Sequence, residues 1–186
     1  MSNNTRSLLS KSRSPIFLLK LNSQLRFYPD SQLVCLQINK TMKENISLPQ
    51  WLAHSFGVAE KVYKTAKERD LTEEECQELW LMGLLHDCGK RFVGQDGHEE
   101  FTGNLLKRSG FKFSEEIQRH GETLTEIPPL TFELLRIADL SVDTTGHDIG
   151  FDGRLKDIKT RYGENSKTYK ECRKSIRTLR KGAKDV

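Results

Sequence analysis

Residues 79–90, LWLMGLLHDCGK, run almost unbroken through apolar side chains and then end in an imidazole and a carboxylate, His86 and Asp87, with Lys90 close behind. A run of this composition predicts a helix buried on all sides, and polar groups at the end of such a helix need partners. A bound cation satisfies both at once, because neutral imidazole nitrogen and ionised carboxylate oxygen are good ligands for zinc, iron, manganese or magnesium. Adjacent residues on a helix diverge by about 100°. His86 and Asp87 can therefore share one ion only if other segments bring further ligands to meet them.

The totals set the frame for that search. A chain of 186 residues fits one domain of ordinary size; 35% apolar residues suffice for a single core, and 30% charged residues point to a solvated surface. No apolar run approaches the roughly 20 residues that span a bilayer. The patch at residues 16–19 is too short for a signal-peptide core. The expectation is a cytoplasmic protein with no membrane partner. Cys35, Cys76, Cys88 and Cys172 form no Cys-x-x-Cys pair, which excludes a zinc ribbon or a disulfide framework and leaves free thiols. The net charge of +4 is mild and does not by itself define a nucleic-acid binder. Nothing in the pattern specifies an oligomeric state.

Residues 1–46 read as an N-terminal extension, polar and basic at first, then β-prone on either side of the turn Pro29-Asp30-Ser31, a candidate β-hairpin. From residue 47 to 186 the pattern is helical. Ser47 and Pro49 mark a helix start, with Ser47 as cap and Pro49 in the first turn. In the helix that follows, to about residue 69, His54, Val58, Val62 and Ala66 share one stripe, which places His54 on the buried face. Thr72 and Glu75 form a capping box for a helix over residues 73–88. Further helices are expected over 98–106, where Thr102 and Gly103 permit close packing, over 115–120 with Ser114 as cap, over 130–143, over 154–162 and over 166–181. The fold class is all-α, a helical bundle with a small N-terminal β-hairpin.

Several segments thus place a potential ligand near an apolar face: His54, the His86-Asp87 pair, His120 and Asp139, with His98 at a helix start. A single histidine on an apolar stripe is more often a hydrogen-bonded core residue. Asp139 is more demanding. It lies among Leu134, Leu135, Ile137, Ala138 and Leu140, where an unpaired carboxylate costs several kcal/mol, so a cation or the neighbouring Arg136 must meet it.

His54, then His86-Asp87 with Cys-Gly-Lys90, then Asp139 in Ile-Ala-Asp-Leu resembles the H…HD…D pattern of the HD superfamily of metal-dependent phosphohydrolases, over about residues 48–162. A second such dipeptide, His147-Asp148, sits in a glycine-rich loop and reads as a decoy. The stretch Gly97-His98-Glu-Glu through Gly110-Phe111 to His120 is similar to HD domains with two extra histidines, as in symmetrical diadenosine tetraphosphate hydrolases and HD-GYP-type phosphodiesterases, although the GYP signature itself is absent. It is also similar to the HD domain attached to some CCA-adding nucleotidyltransferases.

The resemblance implies an HD-domain, phosphodiesterase-like helical bundle. It also implies one or two divalent ions, iron, manganese, zinc or magnesium, held by His54, His86, Asp87 and Asp139. His98 and His120 would bind a second ion or the substrate phosphate. Asp87 and Lys90 would be the catalytic pair, with metal-activated water as the nucleophile and Lys90 neutralising a phosphate oxygen. Arg161, in a basic cluster after the glycine-rich loop, is a further substrate contact in this scheme, and the substrate is a phosphorylated small molecule, a nucleotide foremost. The last helix carries Lys167, Lys170, Arg173, Lys174, Arg177, Arg180, Lys181 and Lys184 opposite an apolar stripe of Tyr169, Cys172, Ile176 and Leu179. That basic face leaves a second function class open, a nucleic-acid-associated module with a structural metal and an RNA-binding helix.

Overall fold

The computed structural model describes residues 49–182. Among them eight helices follow in order: α1 (Gln50–Glu68), α2 (Glu73–Leu85), α3 (Lys90–Val93), α4 (His98–Arg108), α5 (Ser114–Arg119), α6 (Leu130–Asp139), α7 (Gly150–Tyr162) and α8 (Lys167–Gly182). The extended pairing among the described residues is one isolated bridge between Val142 and Asp148, so the helical class holds there. The hairpin, the Ser47 cap, the division after residue 46 and Lys184 lie outside the described residues. Among those described, no helix is long and apolar enough to cross a membrane.

The element boundaries follow local chemistry, with four corrections to the sequence expectations. Thr72 and Glu75 make the full capping box at the start of α2, side chain to backbone in both directions. Pro49 is the N-cap of α1 rather than a first-turn residue, and its carbonyl accepts from Leu52 and Ala53. Phe113, not Ser114, is the N-cap of α5, and Ser114 is already helical and buried. Helix α6 ends at Asp139, with Leu140 as its cap, because the chain turns immediately into the Val142–Asp148 bridge. The glycine-rich segment becomes helical at Gly150, earlier than expected.

Two apolar clusters hold these helices together, and α6 lies between them. Leu134, Leu135 and Ala138 join α1 and α2 in the larger core, while Phe132 and Leu140 join Ile176 and Leu179 of α8 in the smaller. Leu79, Trp80, Leu81, Met82, Leu84 and Leu85 are all buried, so the C-terminal half of α2 is enclosed on every side as its unbroken apolar run requires, while its first turn is exposed. Close approach depends on glycine. A Cβ at Gly83 would lie 2.8 Å from the Ala59 Cα of α1. A Cβ at Gly57 would lie 2.3 Å from the carbonyl oxygen of Gly146, which presses the turn after α6 onto α1. Because that obstacle is backbone, Gly57→Ala is expected to lower stability by about 1–3 kcal/mol through overpacking. A urea denaturation midpoint equal to that of the wild type would show that the turn is not pressed in this way.

Candidate metal centre

Three helices end at one place. His86 is the C-cap of α2, His120 is the C-cap of α5 and Asp139 is the last residue of α6. The last carbonyls of a helix have no intrahelical donor and carry the negative end of its dipole. The histidines use those carbonyls. His86 Nδ1 donates to the Gly83 carbonyl at 2.7 Å and His120 Nδ1 to the Ile117 carbonyl at 2.6 Å, each one turn back. At the start of α4, His98 Nδ1 donates to the Gln95 carbonyl at 2.5 Å. His54, on the buried stripe of α1, donates from Nδ1 to the Asp143 carbonyl at 3.0 Å, in the turn that Gly57 and Gly146 bring close.

A carbonyl can only accept, so each Nδ1 donates its proton there, and a ring carrying that one proton presents Nε2 as a bare lone pair. All four point at carboxylates. His98 Nε2 is 3.0 Å and His120 Nε2 3.5 Å from Asp87 Oδ1. His86 Nε2 is 3.6 Å from Asp87 Oδ2 and 3.9 Å from Asp139 Oδ1. His54 Nε2 is 3.1 Å from Asp139 Oδ1 and 4.0 Å from Asp87 Oδ2. His54 Nε2 is hydrogen-bonded to Asp139 Oδ1, but His86 Nε2, His98 Nε2 and Asp87 Oδ1 are buried without a hydrogen-bond partner. Such a set fits a cation, and not a network of neutral hydrogen bonds.

Protonation does not resolve the conflict at His86, since burial lowers its pKa to about 3. Burial pushes Asp87 up, but its charged and hydrogen-bonding neighbours, the Lys90 ammonium among them, outweigh it and hold the carboxyl well below its usual range. Asp139 is likewise held low against burial, by His54 and the Arg136 guanidinium. Arg136 takes Asp139 Oδ2 at 2.8 Å, which leaves Oδ1 turned to the histidines. The two partners weighed for Asp139, an arginine and a cation, thus use different oxygens of one carboxylate.

Two groups can hold an ion: His54, His86 and Asp87 on one side, and Asp87, His98 and His120 on the other, all buried. Asp87 is common to both. Lys90 lies at the rim, with Nζ 2.5 Å from Asp87 Oδ2. Thr102 clips the His86–Gly89 turn to α4 by accepting from the Gly89 amide at 3.0 Å and donating to the His98 carbonyl at 2.6 Å. Cys88 is buried and its thiol is pushed up to about 12 by that burial, so it stays a packing residue.

The structure does not bring Arg161 into this group: its guanidinium pairs with Asp157 at 2.6 Å and lies over the Tyr162 ring. His147 and Asp148 also face elsewhere, towards Thr145 and Lys61. The main-chain acceptors at Gly83, Gln95, Ile117 and Asp143 were invisible to a search for ligand side chains. For His86, His98 and His120 the available signal was position, a histidine at a helix end with a carbonyl three residues back.

A helical protein with a buried histidine–aspartate centre is the class so defined. Residues 51–141 match the family model of the HD domain. That match places an HD domain within the chain, and members of the HD superfamily are generally metal-dependent hydrolases. No curated protein and no solved structure matches the chain.

The low value of His86 has a consequence for the metal-free protein. Its folded pKa lies below the 6.5 of an ordinary histidine, so below that pH the unfolded chain binds the extra proton and folding stability falls with the pH. Asp87 and Asp139 add a further loss in the same direction as the pH falls below 3.8. Chelator-treated protein is expected to show a lower urea midpoint at about pH 5 than at about pH 7.5. An equal or higher midpoint at the acid value would contradict the buried, neutral state of His86.

Proposed function

We propose that the chain hydrolyses a phosphate ester or anhydride of a nucleotide at a centre of two divalent ions that share Asp87. The observation that supports this most directly is the convergence of four imidazole Nε2 atoms on Asp87 and Asp139, with His86 Nε2, His98 Nε2 and Asp87 Oδ1 buried and unpaired. His54, His86, Asp139 and Asp87 would hold the first ion, and Asp87, His98 and His120 the second. The donor set is nitrogen and oxygen only, which suits iron, manganese, zinc or magnesium. Bound there, divalent cations supply a nucleophile at neutral pH and positive charge opposite the phosphoryl oxygens.

The chain's own groups do the rest. The Nδ1 hydrogen bonds fix ring orientation, so the ligands are set before substrate arrives. Lys90, partly exposed beside Asp87, can turn its ammonium to a phosphate oxygen as negative charge builds there. An aromatic pair lies next in the chain, with Phe101 beside Gly89. Phe92 follows Lys90 on α3, is 57% exposed, and stacks on Phe101 of α4 with ring centroids 5.6 Å apart. Phe101 lies one turn beyond His98. A nucleobase stacked on Phe92 would leave its phosphates within reach of Lys90, which supports a nucleotide over a simple phosphate ester. The competing class, an RNA-binding module with a structural ion, needs one closed site and gives no use to a carboxylate shared between two ligand groups.

Asp87→Ala is expected to abolish metal-dependent hydrolysis of a nucleotide panel and to lose both ions, a larger loss than the about 10–100-fold typical of an outer-shell change. Turnover that survives in this variant would sink the mechanism, and salt-dependent RNA binding without hydrolysis under any of the four metals would favour the module. Phe92→Ala is expected to raise KM for the nucleotide while leaving kcat near the wild-type value, with a cost of about 1–3 kcal/mol for one lost stack. An unchanged KM would remove the base from this surface.

A further inference from the structure

The two ligand groups are unequal in charge. The His54–His86 side has Asp139 in addition to the shared Asp87, whereas the His98–His120 side has Asp87 alone. Negative charge is nevertheless present behind the second group. Glu99, the next residue after His98, places Oε2 3.1 Å from His98 Nδ1, the nitrogen whose proton goes to the Gln95 carbonyl. Its side chain is half-buried, and no lysine or arginine pairs with it among the described residues. Space for it is provided by Gly121, the residue after His120. A Cβ there would lie 2.7 Å from Glu99 Oε1 and 3.1 Å from its Cδ. The glycine beside one ligand therefore makes room for the carboxylate beside the other.

Resting on the two-ion centre argued above, we propose that Glu99 is a positioning residue for the second ion, acting through His98. A carboxylate against the Nδ1–H side holds the imidazole in the tautomer that leaves Nε2 bare, and it increases the electron density Nε2 can give a cation. It also supplies, outside the ligand shell, the negative charge that the second group lacks. The first ion, on the far side of Asp87, receives no such support.

The test is a calorimetric manganese titration of the chelator-treated full-length chain, with elemental analysis of the bound metal and a melting curve of the metal-free form. Wild type is expected to take up two ions. Glu99→Gln keeps the side-chain size and removes the charge, and it is expected to weaken the second ion by about 10–100-fold and to leave the first unchanged. Glu99→Asp is expected to recover part of the loss. Gly121→Ala alters no charge and pushes only the flexible end of Glu99. It is expected to weaken the same ion without lowering the metal-free melting temperature. Wild-type binding of both ions by Glu99→Gln, or equal weakening of both, would overturn the role of Glu99 and leave the two-ion centre standing. Uptake of at most one ion by the wild type would overturn both.

Discussion

Buried lone pairs facing one another are the constraint on which the rest of this molecule depends. Four imidazoles and two carboxylates converge with their acceptor sides inward, an arrangement that is repulsive without positive charge and strongly attractive with it. The backbone shares in the bias. Helices α2, α5 and α6 all end at the centre, so the negative ends of three dipoles point where a cation would sit. The same carbonyls that make those ends negative also take the Nδ1 protons of His86 and His120. Ring orientation, tautomer and local field therefore have one cause, the termination of a helix at a histidine.

Such a centre stays assembled without a bound cation only if other groups offset the charge. Arg136 and Lys90 do this from opposite sides, one on Asp139 Oδ2 and the other on Asp87 Oδ2. Their positions differ in consequence. Arg136 is buried and contacts the Glu122 carbonyl as well, so it is fixed as part of the scaffold. Lys90 sits on a helix of one turn with its side chain partly exposed, so it is the less rigidly held of the two. The enclosing fold fixes the carboxylates in turn: α6 carries Asp139 between the two apolar clusters, while Asp87 follows a helix whose C-terminal half is buried on every face.

Most of the residues that meet in the candidate centre were legible because burial and polarity conflict openly in the sequence. Asp139 among leucines, His54 on an apolar stripe and His86-Asp87 after an apolar run each state an unmet need, and the capping box at Thr72 gives the register of the helix that carries the pair. What stayed hidden was main-chain or non-local. The acceptor for His54 is the Asp143 carbonyl, 89 residues away, brought near by the contact between Gly57 and Gly146 that no local pattern encodes. Ser114 looks like a cap and Arg161 like a phosphate contact, because both have the right chemistry and only packing decides. Ser114 turns inward as a helical residue, and Arg161 is engaged by Asp157 one turn away. The aromatic pair at Phe92 and Phe101 was missed for a similar reason, as neither phenylalanine is unusual until α3 and α4 bring them face to face.

Cys88 shows how the fold narrows the chemistry beyond what the ligand types alone decide. It stands directly between Asp87 and Gly89, and a thiolate there would be a strong competitor for a soft or borderline ion. Burial keeps it a neutral thiol, with a pKa pushed up to about 12. Its neighbour Asp87 is held ionised under almost the same burial, with the Lys90 ammonium against its carboxylate. Two adjacent residues in one turn are thus driven in opposite directions, one into its charged form and the other out of it. The centre keeps nitrogen and oxygen donors only, a set that suits iron, manganese, zinc or magnesium and does not choose among them.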